Sequence, residues 1–191
     1  MTQARAPRAD AVRNRKKILA AAREQITRHG PGIGMDEIAL AAGVAVGTLY
    51  RHFPDKTDLV AAVVAESIAG VADDAEAACD RVALGSCALD EITAFLGRVV
   101  EASASDHVVK AAAVALGADP GGKAAEDRAS AALAALIRAA QADRDLHPDV
   151  TVHDVYLLLS TAPADQPRAA RARWLTLVLP GLTTHARTTG S

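Results

Sequence analysis

Gly43 stands between two short segments of helical character, and that arrangement narrows what the chain can become more than any other feature. Upstream, Met35 to Ala42 places Ile38 and Ala42 four residues apart, on one helical face. Gly43 accepts the left-handed conformation that ends a helix in a tight turn. A second segment begins within about four residues, the spacing of a helix-turn-helix. At ~100° per residue, Val46, Leu49 and Phe53 fall on one side of the second helix, with Gly47, Thr48, Tyr50 and Arg51 on the other. One side can be buried. The other carries donors of the kinds that meet phosphate oxygens and base edges, and Gly47 lets the backbone come close to whatever lies opposite.

Charge divides the chain in the same sense. Residues 1–60 hold 10 Lys/Arg against 6 Asp/Glu, and the remainder 11 against 17, although the whole is close to neutral at −2. A basic first third joined to an acidic remainder suggests one part that meets a polyanion and another that does something else. Residues 1–9 are small, polar and basic, and predict a disordered arm. A helix is expected from Asp10 to His29, with Ile18, Ala22 and Ile26 at four-residue intervals and Gly30 ending it. Its first turns carry Arg13, Arg15, Lys16 and Lys17, where cations oppose the helix dipole. A phosphate backbone would account for them, with Arg13 and Lys17 as contacts and Arg5 and Arg8 of the arm drawn in too. A solvated basic face is the competing explanation.

The run GVAVGTLYRHFPDK, preceded by a helix ending in TRHG and by MDEIALAA, resembles the DNA-binding domain of the TetR (tetracycline-repressor) family of bacterial transcriptional regulators. The resemblance is specific from Arg13 to Val64 and architectural beyond. It implies phosphate contacts from Tyr50, His52 and Lys56, close approach of Thr48 and the Gly47 backbone, and a base or phosphate contact from Arg51. Met35 and Val46 depart from family members that carry a donor there. Apolar contacts to thymine methyls and DNA shape are then expected to contribute more than direct base readout.

Pro54 ends the second helix of the motif, and Asp55 with Asp58 can cap a connecting helix carrying Leu59, Val63 and Ile68 inward into the seventies. Further helices are expected at Leu89 to Ala104, His107 to Leu116, Ala124 to Ala142, Val152 to Thr161 and Arg168 to Leu182. Breaks at Ser105-Asp106, Asp119 to Gly122, His147 to Asp149 and Pro163 to Pro167 separate them. Thr151 with Asp154 repeats the capping pattern. The expected fold is all-α: an arm at 1–9, a helix-turn-helix DNA-binding domain at 10–55, a connecting helix at 56–78, and a C-terminal helical domain for effector binding and dimerisation at 79–191.

The last two helices are apolar on nearly all sides, which is hard to cover in a small domain without a second subunit. The resemblance points the same way, since such regulators dimerise through their last two helices. Val155, Leu158, Leu159, Trp174, Leu175, Val178, Leu179 and Leu182 are the expected interface. For an effector pocket, Phe95, Val99, His107, Val114, Leu133, Ile137 and Tyr156 are candidate linings, with ordinary core the competing explanation. Aromatic residues are only 3% of the chain, so the effector is expected to be small and mostly apolar, not a flat cation held in a stacking cage. Arg98 and Glu101, three apart, could pair.

Catalytic patterns are missing from the sequence: it has no Gly-rich phosphate loop, nucleophile elbow or His-x-x-x-His pair. No cofactor or metal is expected. Cys79 and Cys87 fit no zinc or redox spacing and read as reduced thiols. The N-terminus has no apolar leader region and no run approaches a membrane span, so a cytoplasmic protein without membrane contact is expected. The function expected is transcriptional regulation, most simply repression, by a homodimer on a palindromic DNA operator that a small effector releases. The alternative is an effector-independent regulator or a broad chromosome-binding protein.

Overall fold

The computed structural model describes residues 6–184, and among these every regular element is helical. The helices are α1 (Ala6–His29), α2 (Met35–Ala42), α3 (Val46–His52), α4 (Lys56–Ala83), α5 (Ala88–Ser105), α6 (His107–Leu116), α7 (Lys123–Ala142), α8 (Val152–Ser160) and α9 (Arg168–Val178), followed by a 3₁₀ turn at Leu179–Gly181. A single isolated bridge joins Leu146 and Thr183.

Local chemistry accounts for most of the boundaries. Gly30 ends α1 at φ +81° and Gly43 ends α2 at φ +63°. The Val44 N–H then donates to the Ala39 carbonyl at 3.1 Å, closing the turn that aims the chain into α3. The Asp55 carboxylate accepts from the Asp58 N–H at 2.8 Å at the start of α4. Thr151 and Asp154 cap α8 reciprocally.

Three boundaries differ from the expectation by more than one residue. Helix α1 begins at Ala6 and not Asp10, because Pro7 sits in a first turn that needs no N–H from it; residues 6–9 of the expected arm are thus helical, and its residues 1–5 lie outside the described residues. Arg13, Arg15, Lys16 and Lys17 then occupy the second and third turns, where the dipole acts weakly on them. Helix α9 stops at Val178 instead of Leu182, since Pro180 lacks the N–H that would continue it. Helix α4 continues to Ala83 despite Gly70.

Two compact units form, each from two stretches of chain: residues up to Ser67 with Ser105–Gly121, and Ile68–Ala104 with the residues from Gly122 onward. The linear division at 55 and 78 does not coincide with them. α4 crosses from one unit to the other, and α6 belongs to the first because it packs on α1 through a buried stripe of Val109, Ala112 and Ala113.

The first unit closes over Ile18, Ile26, Ile38, Leu49, Leu59, Val60, Val63 and Val109, all fully buried. The second has a core built on Ile92, Phe95, Leu96, Leu133, Leu136, Ile137, Leu146 and Val155, with alanines 75, 78, 132 and 140 between them. Its helices are also tied by charge. Arg81 meets Glu91 at 2.9 Å, Arg98 meets Asp74 at 2.8 Å, Arg128 meets Asp73 at 2.7 Å and Glu76, and Arg171 meets Glu101 at 2.6 Å. Arg98 and Glu101, which their spacing would allow to pair, each meet a cross-helix partner, Asp74 and Arg171 respectively. Hydrogen bonds from the paired arginines hold the carboxyls of Glu76, Glu91 and Glu101 below the ordinary glutamate range.

Candidate nucleic-acid interface

Helix α3 is seven residues long, too short to persist on its own. Leu49 at 0% exposure and Phe53 at 2% seat it against the first unit; burying each contributes roughly 1.5–3 kcal/mol. Val46 departs from the wheel prediction: it is 41% exposed, because it lies in the first turn, ahead of the buried pair. Tyr50 is 44% exposed, Gly47 and Arg51 are exposed, and Thr48 and His52 are half-buried. The Arg51 guanidinium donates to the Thr48 hydroxyl at 3.3 Å, so the two polar groups occupy one patch. His52 stacks obliquely on Phe53, with ring centroids 6.3 Å apart. Met35, half-buried, opens α2, whose start is fixed by the Gly34 N–H donating to Glu37 at 2.8 Å.

Basic side chains from other elements are divided between scaffold and surface. Lys56 donates to the carbonyls of Pro31 and Ile33 and so fastens the α1–α2 loop to the start of α4. Its ammonium has three donors, which leaves one for any outside partner. Arg15 lies over the Phe53 ring, 4.7 Å from the centroid, and covers the end of α3. Arg13 pairs with Asp10, while Lys16 and Lys17 are exposed. Sequence reasoning did not find the structural parts played by Arg15 and Lys56. Their partners lie 38 and 25 residues away, and only the spatial arrangement carries that signal.

An exposed donor patch on a short helix, anchored from behind and preceded by a glycine-closed turn, is geometry suited to a nucleic-acid groove. Comparison with known proteins agrees. Residues 18–63 match the bacterial regulatory proteins of the tetR family, and residues 89–184 match the C-terminal domain of SbtR-like transcriptional regulators. A TetR transcription regulatory protein from Mycobacterium vanbaalenii superposes with a TM-score of 0.76 and 32% identity, covering 93% of this chain and 99% of that one. The chain belongs to the TetR family.

A TetR transcriptional regulator from Streptomyces coelicolor is similar at 30% identity and TM-score 0.72, covering 90% of this chain and 99% of its own. An uncharacterised HTH-type transcriptional regulator of Mycobacterium tuberculosis shares 45% identity over 53 residues, 28% of this chain and 23% of that protein. The chain thus spans about a quarter of the length of that curated relative. As a TetR-family member it is a DNA-binding transcriptional regulator and not an enzyme. No described helix is long and apolar enough to cross a membrane, and no described cluster of His, Cys, Asp and Glu could hold a metal.

The residues expected to line an effector pocket in this TetR-family chain are divided between the two units. Phe95, Leu133 and Ile137 are buried in the core of the second unit, with Val99 packed against them. His107 and Val114 lie on α6 in the first unit. Val114 is 83% exposed, since it sits ~140° around the helix from buried Val109. Tyr156 is exposed beside buried Val155.

The expected dimer residues mostly pack on one another. Val155, Leu158, Leu159, Trp174, Leu175, Val178, Leu179 and Leu182 surround, with Leu96, a void of about 10 Å³. What α8 and α9 leave outward is Leu157 at 59% exposure, Leu177 at 55%, and Tyr156. The spacing of Val155, Leu158 and Leu159 as the inward stripe of α8 was the signal that could have put Leu157 on the outer face. Between α5 and α9 an open groove of about 470 Å³ is lined by Ala94, Gly97, Val100, Ala172 and Leu175, with Arg98, Glu101, Arg168 and Arg171 alongside.

Proposed function

We propose that this TetR-family regulator represses transcription by binding a palindromic operator as a homodimer, and that a small, mostly apolar effector releases it. The observation that carries the DNA reading is the contrast within α3: Leu49 fully buried, Tyr50 and Arg51 exposed one and two residues later. Tyr50, His52, the free donor of Lys56, Arg13 and Lys17 contact phosphates. Thr48 and the Gly47 backbone lie against the duplex, Arg51 reaches a base edge or phosphate, and Met35 and Val46 make apolar contacts. Two-fold symmetry then sets half-sites about one helical turn apart or more. The outward leucines of α8 and α9 support the second copy. The protein acts in the cytoplasm, on the nucleoid when bound.

The effector is supported by the kinship of the C-terminal stretch with SbtR-like domains. Burial of Phe95, Leu133 and Ile137 in continuous core favours the second reading, a regulator blind to ligands. A genome-wide binding map tests the proposal. A few peaks sharing an inverted repeat are expected, and even coverage without a shared motif would replace the operator reading with broad chromosome binding.

A further inference from the structure

Asp106 is the one charged side chain among the described residues that is buried, at 5% exposure. It occupies the cap position of α6, yet its carboxylate makes no capping bond to the helix and lies 3.3 Å from Nε of Arg23 on α1. The same guanidinium donates through Nη2 to the Ser67 hydroxyl at 2.7 Å and approaches the Val63 carbonyl at 3.4 Å, both on α4. Glu66 is 3.9 Å away. The chain passes between the two compact units at 67/68, 104/105 and 121/122. Arg23 therefore grips residues beside two of the three crossings.

We propose that Arg23 is a positioning residue that clasps the start of α6 to α1 and α4, and that operator binding requires the clasp closed. Opening it strands a buried carboxylate, which opposes release of α6 unless another donor replaces the guanidinium. The clasp is also releasable, because Nε, though close to Asp106, has no hydrogen-bond partner. A displacement arriving along α4 or α5 meets this one guanidinium before it reaches the helix-turn-helix. The proposal rests on the operator-binding reading for its DNA readout, whereas the clasp itself is read by amide exchange.

The test uses full-length Asp106→Asn, Arg23→Met and their double variant, with Arg23→Lys and Ser67→Ala as milder changes should the first group fold poorly. Hydrogen exchange of the α6 amides from Lys110 onward, whose own N–H donates to the Asp106 carbonyl at 2.8 Å, operator affinity at fixed salt and the melting temperature are measured together. Each single variant is expected to speed α6 exchange and weaken operator binding by about tenfold, with the double no worse than either single. Arg23→Lys is expected to restore part of both, and Ser67→Ala to cost less than either. Additive losses in the double variant, or unchanged α6 exchange, would overturn the clasp. Faster α6 exchange with unchanged operator affinity would overturn its role in DNA binding. If the wild type preferred no duplex, the operator reading would fail, and the clasp would stand or fall on exchange alone.

Discussion

Helix α3 has seven residues and is seated by two side chains that are all but completely buried, Leu49 and Phe53; α9 has eleven residues and not one of them is buried. The recognition helix is finished within the chain. Its apolar side is covered, the Arg15 guanidinium lies over the Phe53 ring, and what remains outward is Tyr50, Arg51 and Gly47. Helix α9 is unfinished. Trp174, Leu175 and Val178 are only half-covered, and Leu177 is left outward, as is Leu157 on α8. The difference teaches that burial of its apolar side leaves α3 with polar groups outward, whereas α8 and α9 keep apolar side chains at the surface.

Removing the α3 seat should have the largest effect. Leu49→Ala is expected to destabilise the first unit by ~2–5 kcal/mol and abolish DNA binding, measured by chemical denaturation; a loss well under 1 kcal/mol would mean that α3 is held by something else. Leu177→Asp attacks the other side of the comparison. Placing a charge in an apolar interface should raise the dimer dissociation constant by about two decades, seen by sedimentation velocity. Unchanged sedimentation would show that α9 is complete without a partner.

Smaller effects sharpen the comparison. Thr151→Ala removes the cap of α8 and should cost on the order of 1 kcal/mol in thermal unfolding, without changing operator affinity at temperatures where the protein is folded. The smallest concerns Glu101, whose carboxyl the Arg171 hydrogen bonds hold below the ordinary glutamate range. Its contribution is complete above the unfolded value, about 4.3, and is lost as pH falls through the lower native value. Arg171→Met should therefore lower the melting temperature at neutral pH, by an amount that shrinks toward pH 3. A gap independent of pH would assign the loss to packing of the arginine stem.

Much of the first unit was legible because its signals are local. Gly43 closing α2, the buried Leu49 and Phe53, and the cap at Asp55 all act within about four residues. The illegible parts join residues far apart along the chain: Lys56 to the Pro31 and Ile33 carbonyls, Arg15 to Phe53, Arg128 to Asp73 and Glu76, and Arg23 to Asp106. Sequence periodicity identifies a buried stripe but not the helix that covers it. Periodicity therefore does not separate Leu157 and Leu177, which stay outward, from neighbours that pack inside the chain, and it does not say that α6 shares the core of the first unit.

The central claim is that α3 reads an operator, and fluorescence anisotropy on the DNA upstream of the protein's own gene tests it most directly. Wild type and Tyr50→Ala would be titrated against that duplex and a scrambled one over a salt series. A preference of about three decades or more is predicted for the wild type, and the variant, which lacks one phosphate contact, should bind both duplexes more weakly with a salt dependence shallower by about one unit of slope. Equal affinity of both proteins for both duplexes, at every salt concentration, would contradict it.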